Sequence, residues 1–530
     1  MTHTPTAEQQ AILDGHKNST VSIMIQADAG CAKTSTLEML AKQQARAPIP
    51  ALAIAFNKKT ANELQARMPP SFKCKTLSGL GYSAWAKKLG MRQLNVQEYK
   101  INDLIKELGP DWIDDFAKDE DAFMLVKDLI NGARQAGLMH SEWEEQHPGL
   151  ISDCKESWDG LSDEAQPRED VRLLAREVLR RDIEMALEGT VDFDDMVYCS
   201  VLLGGRYEQY PLVLVDEMQD LNELNIIQVS RVARGRIIAV GDPKQGIYQF
   251  RGADPEAIEK LRALRPKWLD FPLHVTFRCP KVMVAKQQGH APGFTAHEAN
   301  PEGEFIRWIK NDEAEGAIMY NGLRSSGWTY KWMKGLCGPG EKPFVMCRNN
   351  APLMALAFKL IKEGKVPLML GRDIGKSLVS LSRKIEPKDS APLDQFIEKV
   401  NKWKKDETAK AQQAKRGWLV SGINDRADSL LAVADSISAK DTGALRKAIV
   451  ELFRKSDGDV ELSTGHRAKG LERPVTIHLD PWRIPSRYAL EAAEAGDHRQ
   501  LEQERNLKYV LETRTRRVHV EANVEDYMVE

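Results

Sequence analysis

The run Leu212-Val213-Leu214-Val215-Asp216-Glu217-Met218-Gln219-Asp220 constrains the fold more than any other stretch of this chain. Four consecutive apolar residues suit a strand buried on both faces, the environment of a parallel sheet covered by helices. Asp216 and Glu217 come where such a strand ends, and in an open α/β sheet ligands gather outside the carboxyl ends of the strands. There Asp216 suits Mg²⁺, and Glu217 suits orienting or deprotonating a water. An acidic N-cap on the next helix is the simpler use of an isolated Asp-Glu pair, so the choice rests on a segment far upstream.

That segment is a second apolar run, Val21-Ser22-Ile23-Met24-Ile25, which leads into Ala27-Asp28-Ala29-Gly30-Cys31-Ala32-Lys33-Thr34-Ser35 and then the helical Leu37-Glu38-Met39-Leu40. A strand, a small-residue turn and a helix opening at Lys-Thr form the layout of a phosphate-binding loop. Backbone N–H groups from Ala29 to Ser35 and the helix N-terminus would cradle the phosphates of ATP. Lys33 would add a point charge at the β/γ oxygens, and the Thr34 hydroxyl would ligate Mg²⁺ beside Asp216. The loop departs from the usual pattern, with Ala32 in place of the glycine before the lysine and Ala27 in place of the first glycine. The two halves of a nucleotide site need each other, and their joint presence decides for a site over an N-cap.

Composition agrees. A chain of 530 residues is too long for one core and should divide into three or four domains. With 42% apolar and 29% charged residues it is of ordinary globular composition. No run approaches the roughly 18 apolar residues of a membrane span, and the N-terminus lacks a signal-peptide pattern. The cysteines (31, 74, 154, 199, 279, 337 and 347) include no CxxC pair, which argues against a zinc site and for a reducing, cytoplasmic setting. A net charge of −2 neither announces nor excludes nucleic acid, since a binding channel needs only local basicity.

Further motifs occur in a fixed order: Thr6-Ala7-Glu8-Gln9-Gln10, Ala51 to Phe56 followed by Asn57-Lys58-Lys59-Thr60-Ala61, Val240 to Ala253 with GDPKQGIYQFRGA, Thr464-Gly465-His466-Arg467-Ala468-Lys469-Gly470-Leu471-Glu472, and Glu504 to Arg514. This ordered set resembles the UvrD/Rep-type DNA helicases of superfamily 1 over nearly the whole chain. The resemblance implies a fold of two RecA-like α/β motor domains with parallel sheets, each carrying a mainly helical insert. It implies ATP bound in the cleft between the motor domains and travel along single-stranded DNA in the 3′→5′ sense. Gln9 would read the adenine edge, Phe277 would stack on the base, and Glu472 would meet the ribose. Lys33, Asp216, Glu217 and the γ-phosphate sensor Gln245 would act with Arg278 and Arg514, which stabilise charge on the transferred group.

On the nucleic-acid side, single strands are held by aromatic stacking and by basic or hydroxyl groups along the phosphates. Phe56 with Lys58 and Lys59, Thr76, Tyr248, Phe250 and Arg251, and His466 occupy the corresponding positions; Phe250 stands where the family has tryptophan. The expected organisation is a first motor domain of 1–82 and 185–275 with an insert at 83–184, and a second of 276–375 and 459–530 with a reduced insert at 376–458. Phe344-Val345-Met346-Cys347 reads as a further motor strand. A monomer-sized enzyme without tail or appended nuclease, cytoplasmic and nucleoid-associated, acting on single strands and their duplex junctions in repair or replication, is the expectation. A translocase that strips proteins while unwinding little, and a DNA-binding regulator whose ATPase has decayed, remain as alternatives.

Overall fold

The computed structural model describes residues 4–114, 116, 120–138, 169–247, 254–310, 318–320, 323–325, 327–413, 417–437 and 440–529. Tyr248, Phe250 and Arg251 lie outside the described residues. The chain divides into two units: one comprises residues up to Ala27 with Ala32–Leu273, the other Asp28–Cys31 with His274 onward. Among the described residues no helix is long and apolar enough to cross a membrane.

The first unit is built on a six-stranded, wholly parallel sheet in the order Phe72–Thr76, Ala51–Ala55, Tyr210–Val215, Ala233–Gly241, Ser22–Ala27, Trp268–Leu273. Its central strands are buried along almost their whole length, as their near-continuous apolar sequence requires. Tyr210–Val215 therefore has no polar face, and the first carboxylates appear only where it ends. The turns that follow the strands carry the candidate residues, and helices Lys33–Gln44 and Lys58–Arg67 return from two of them.

Helices Leu77–Leu89, Lys100–Trp112, Glu120–Ala136, Glu169–Leu187 and Phe193–Leu202 form a layer with its own apolar cluster, including Trp85, Ile105, Val126, Leu179, Ile183 and Val201. Inside that layer lies a buried ion cluster. Lys100 Nζ is 2.7 Å from Asp195 and 2.8 Å from Asp182, and it also donates to the Thr190 carbonyl at 3.0 Å. Arg134 donates to Asp195 at 3.0 Å and to Asp192. Buried charges persist only when paired and hydrogen-bonded. The cluster therefore fixes how four helices meet, a task a purely apolar contact performs with less specificity.

The second unit holds an eight-stranded sheet in the order Leu323–Ser325, Ile318–Tyr320, Glu304–Lys310, Thr515–Ala522, Arg473–Leu479, Phe344–Cys347, Val460–Thr464, Pro367–Met369. It is parallel except for the two pairings at the Ile318–Tyr320 strand. Helices Arg372–Ile385, Leu393–Gln413, Gly417–Ser436 and Thr442–Arg454 fill the interval between two of its strands. Here helices and sheet share one apolar cluster: Phe396, Leu430 and Ile449 belong with Val345, Val460 and Ile477.

Candidate nucleotide site

The turn after Ser22–Ala27 ends in a left-handed residue, Ala32, with φ 56° and ψ 37°, directly before the helix that opens at Lys33. Gly30 is also left-handed, at φ 72°. For an L-residue with a Cβ this conformation costs roughly 1–2 kcal/mol. The glycine usual before the lysine is thus replaced at a position whose backbone keeps the glycine conformation. Such strain gathers at functional sites. Glu217 repeats the pattern at the end of Tyr210–Val215, with φ 51°.

Asp216 is buried, and its backbone N–H donates to the Ile54 carbonyl on the neighbouring strand at 3.1 Å. Burial and the adjacent Glu217 charge, only partly offset by Lys33, push its carboxyl up to about 7. A buried carboxylate so short of positive charge suits a divalent cation, and Thr34 follows Lys33 at the start of the facing helix. Lys33 Nζ lies 4.0 Å from Glu217 Oε2.

From Glu217 a chain of hydrogen bonds runs through the turn after Ala233–Gly241. Gln219 Nε2 donates to Glu217 at 2.6 Å, the Asp242 N–H donates to Gln219 Oε1 at 3.0 Å, and Gln245 Nε2 donates to Asp242 at 2.6 Å. Gly241 makes this possible, because a Cβ there would stand 2.3 Å from Gln219 Oε1. Gln219 and Asp242 lie inside motifs read from the sequence but were assigned no role there; their polar side chains beside wholly apolar strands were the available signal.

Gln9 is buried and already engaged. Its Oε1 accepts from the Thr6 N–H at 3.0 Å in a capping box, and its Nε2 donates to Thr36 Oγ1 at 3.1 Å. An amide keeps a second N–H and a second lone pair, so capacity for a base edge remains.

A cavity of about 200 Å³ within the first unit joins the two expected chemistries. Asp216 and Glu217 line it together with Ala55, Phe56, Thr76 and Ser78. Phe56 is 48% exposed, unusual for a phenylalanine at the end of a buried strand. Asn57 caps the helix that begins at Lys58, and both Lys58 and Lys59 are exposed. The Thr76 hydroxyl accepts from the Gly79 N–H at 3.1 Å and caps the helix Leu77–Leu89.

The remaining expected residues belong to the second unit. The Ala29 N–H donates to the Tyr509 hydroxyl at 2.9 Å, a partner the sequence did not single out, and the buried Cys31 is in the same turn. Phe277 stacks on His297 with ring centroids 4.7 Å apart. Arg278 pairs with Glu472, as does Arg516. Against the opposing effect of burial, these two guanidiniums hold the Glu472 carboxyl below its usual value. Arg514 is fully buried, and burial with the nearby Arg278 lowers it to about 10. It donates to the Val510 carbonyl at 2.8 Å and to Thr513 Oγ1 at 3.1 Å. His466 sits in the short helix Gly465–Ala468, after the strand Val460–Thr464.

Residues 6–265 match the family model of the UvrD/REP helicase N-terminal domain. Over 97% of its length the chain is 24% identical to F-box DNA helicase protein 1 of Schizosaccharomyces pombe, of which it covers 56%. It is 25% identical to DNA helicase II of Rickettsia typhi over 44% of this chain and 36% of that protein. With F-box DNA helicase 1 of Gallus gallus it shares 25% identity over 47% of this chain and 24% of the relative. The chain thus spans at most about half the length of these relatives.

Proposed function

This chain belongs to the UvrD/REP helicase family, and from that premise we propose that it is an ATP-dependent DNA helicase that moves along single-stranded DNA in the 3′→5′ sense. The observation that carries this reading is the cavity of about 200 Å³ that Asp216 and Glu217 share with Phe56 and Thr76. A nucleotide-hydrolysing carboxylate and a strand-contacting aromatic on one small cavity allow events at one to be felt at the other.

Glu217 takes the proton of the attacking water, its carboxylate aimed by the left-handed backbone and by Gln219. Gln245 senses the terminal phosphate, and the bonds through Asp242 and Gln219 connect that sensing to Glu217. Lys33 stabilises charge on the transferred group, while Gln9 takes the base edge with its spare N–H and lone pair. Mg²⁺, held by Asp216 and Thr34, would supply neutralisation of the phosphate charge. Arg278 and Arg514 complete the charge stabilisation, Arg278 by exchanging Glu472 for phosphate. Phe56 stacks a base, and Lys58, Lys59, Thr76 and His466 follow the backbone, as do Tyr248, Phe250 and Arg251 by their place in the motif.

Strand displacement on duplexes with a 3′ or a 5′ single-stranded tail tests the proposal. ATP-dependent displacement from the 3′-tailed duplex alone is expected. Displacement from the 5′-tailed duplex alone overturns the polarity. ATP turnover on single strands with no displacement from either duplex replaces the helicase with a translocase.

A further inference from the structure

We propose that the second unit carries a structural site for a divalent first-row transition metal, zinc by its ligand chemistry, on His478, His519 and Glu521. The nucleotide and nucleic-acid readings make no use of these residues. The strands Arg473–Leu479 and Thr515–Ala522 run parallel, with Thr476 opposite His519 and His478 opposite Glu521. Side chains two apart on a strand share a face, so this register places both imidazoles and the carboxylate on one side of the sheet. One donor atom from each of the three lies within 4.8 Å of the other two. The side chains are buried, with 0%, 0% and 2% of their residues exposed.

The hydrogen bonding shows what is missing. Among the described residues neither ring nitrogen of His478 has a hydrogen-bond partner, and neither does Nε2 of His519. Each such buried group left unsatisfied is destabilising. Three of them within one small cluster is an arrangement a packed core has reason to avoid unless something binds there. His519 Nδ1 is 2.8 Å from Thr476 Oγ1. With Thr476 accepting from Nδ1–H, Nε2 is left as a lone pair, the arrangement by which an outer partner fixes a metal-binding imidazole.

Glu521 now accepts from Lys286 at 3.0 Å and from Arg307 at 3.1 Å. Lys286 has an alternative: Glu512 Oε1 is 3.4 Å away and among the described residues has no hydrogen-bond partner. A shift of Lys286 towards Glu512 satisfies that oxygen and releases one from Glu521. Two imidazoles and a carboxylate form a three-ligand set that suits zinc at metal–ligand distances of about 2.0–2.2 Å, with a water as the fourth tetrahedral ligand. Tetrahedral donors then stand about 3.4 Å apart, so the widest donor pair closes by up to about 1.4 Å. Because the site is enclosed, the metal enters as the chain folds and acts as a structural staple between the two strands. The cysteine spacing argued against zinc, but it was blind to a site whose ligands lie on two strands far apart in sequence.

The test is metal analysis of the full chain, purified without chelator and also refolded with zinc or with chelator. About one equivalent per chain is expected in the wild type, with a higher Tm after refolding in zinc than in chelator. His478→Leu and Glu521→Gln should each weaken retention at least tenfold and abolish the Tm difference. If His478→Leu does not fold, Glu521→Gln, which preserves shape, carries the same readouts. Wild-type protein with less than a tenth of an equivalent overturns the proposal. So do variants that keep the wild-type metal content, which would place the metal on other groups such as the cysteines.

Discussion

The strand ends of the two units differ in charge. In the first unit the residues directly after three strands are Asp28, Asp216 with Glu217, and Asp242. In the second, Arg348 directly follows Phe344–Cys347, and Arg278 and the His466-Arg467 pair come one residue further on after their strands, while Asp480 follows Arg473–Leu479. The first set is acidic and the second mainly basic, a difference carried by the turns and not by the apolar strands.

The helical layers differ as well. In the first unit the helices have their own apolar cluster and a buried ion cluster at its heart. In the second, helices and sheet share one cluster.

The largest effect expected is from Arg278→Ala. Loss of a guanidinium on the transferred group should lower ATP turnover about 10³-fold or more while nucleotide still binds. Steady-state turnover set beside binding of a fluorescent ATP analogue checks this; unchanged turnover would reduce Arg278 to a partner for Glu472 and break the contrast between the sheets.

Lys100→Met probes the helical layers. It removes one of the two cations paired with the buried Asp195 and Asp182 and leaves only Arg134, which should destabilise the first unit by up to about 3–5 kcal/mol. Denaturant unfolding followed in the full chain should then show an earlier first transition. A single transition shifted as a whole would mean that the layers are not independent.

Acid sharpens the same contrast. Burial, then the nearby Arg236, lowers His16 to about 4, and Arg236 donates to its Nδ1 at 2.8 Å. Between pH 4 and 6.5 the unfolded chain holds a proton there that the folded chain lacks. Stability from this group is therefore complete above pH 6.5 and lost as pH falls to 4, by up to roughly 3 kcal/mol. His16→Phe should flatten that part of the pH–stability curve for the first unit, and an unchanged curve would remove His16 from the account.

Ala32→Gly is the smallest change. Relief of a left-handed alanine should stabilise the folded chain by about 1 kcal/mol or less, because glycine also gains freedom when unfolded. Thermal unfolding reads this directly, and a loss of stability would show that the Ala32 methyl group packs favourably.

The sequence made the phosphate loop and the Asp-Glu strand end legible because short contiguous patterns encode both. Periodicity also exposed the helix around Ala122 to Ile130 and the strand at Phe344. What depends on backbone angle or on distant pairing was hidden. Nothing in the letters shows that Ala32 and Glu217 are left-handed, that the Gln9 amide caps its own helix, or that Arg514 donates to a carbonyl four residues back. The Lys100 cluster draws on four separate segments, and the His478 set on two.

The central claim is that the loop with Ala32 still serves a working motor. ATP turnover of the wild type with and without single-stranded DNA, beside Glu217→Gln, tests it most directly. Wild-type turnover stimulated by the DNA is expected, with a Glu217→Gln chain that binds ATP but turns it over about 10²–10⁴-fold more slowly. Wild-type turnover no faster than that of Glu217→Gln, with or without DNA, would contradict it and leave a DNA-binding regulator whose ATPase has decayed.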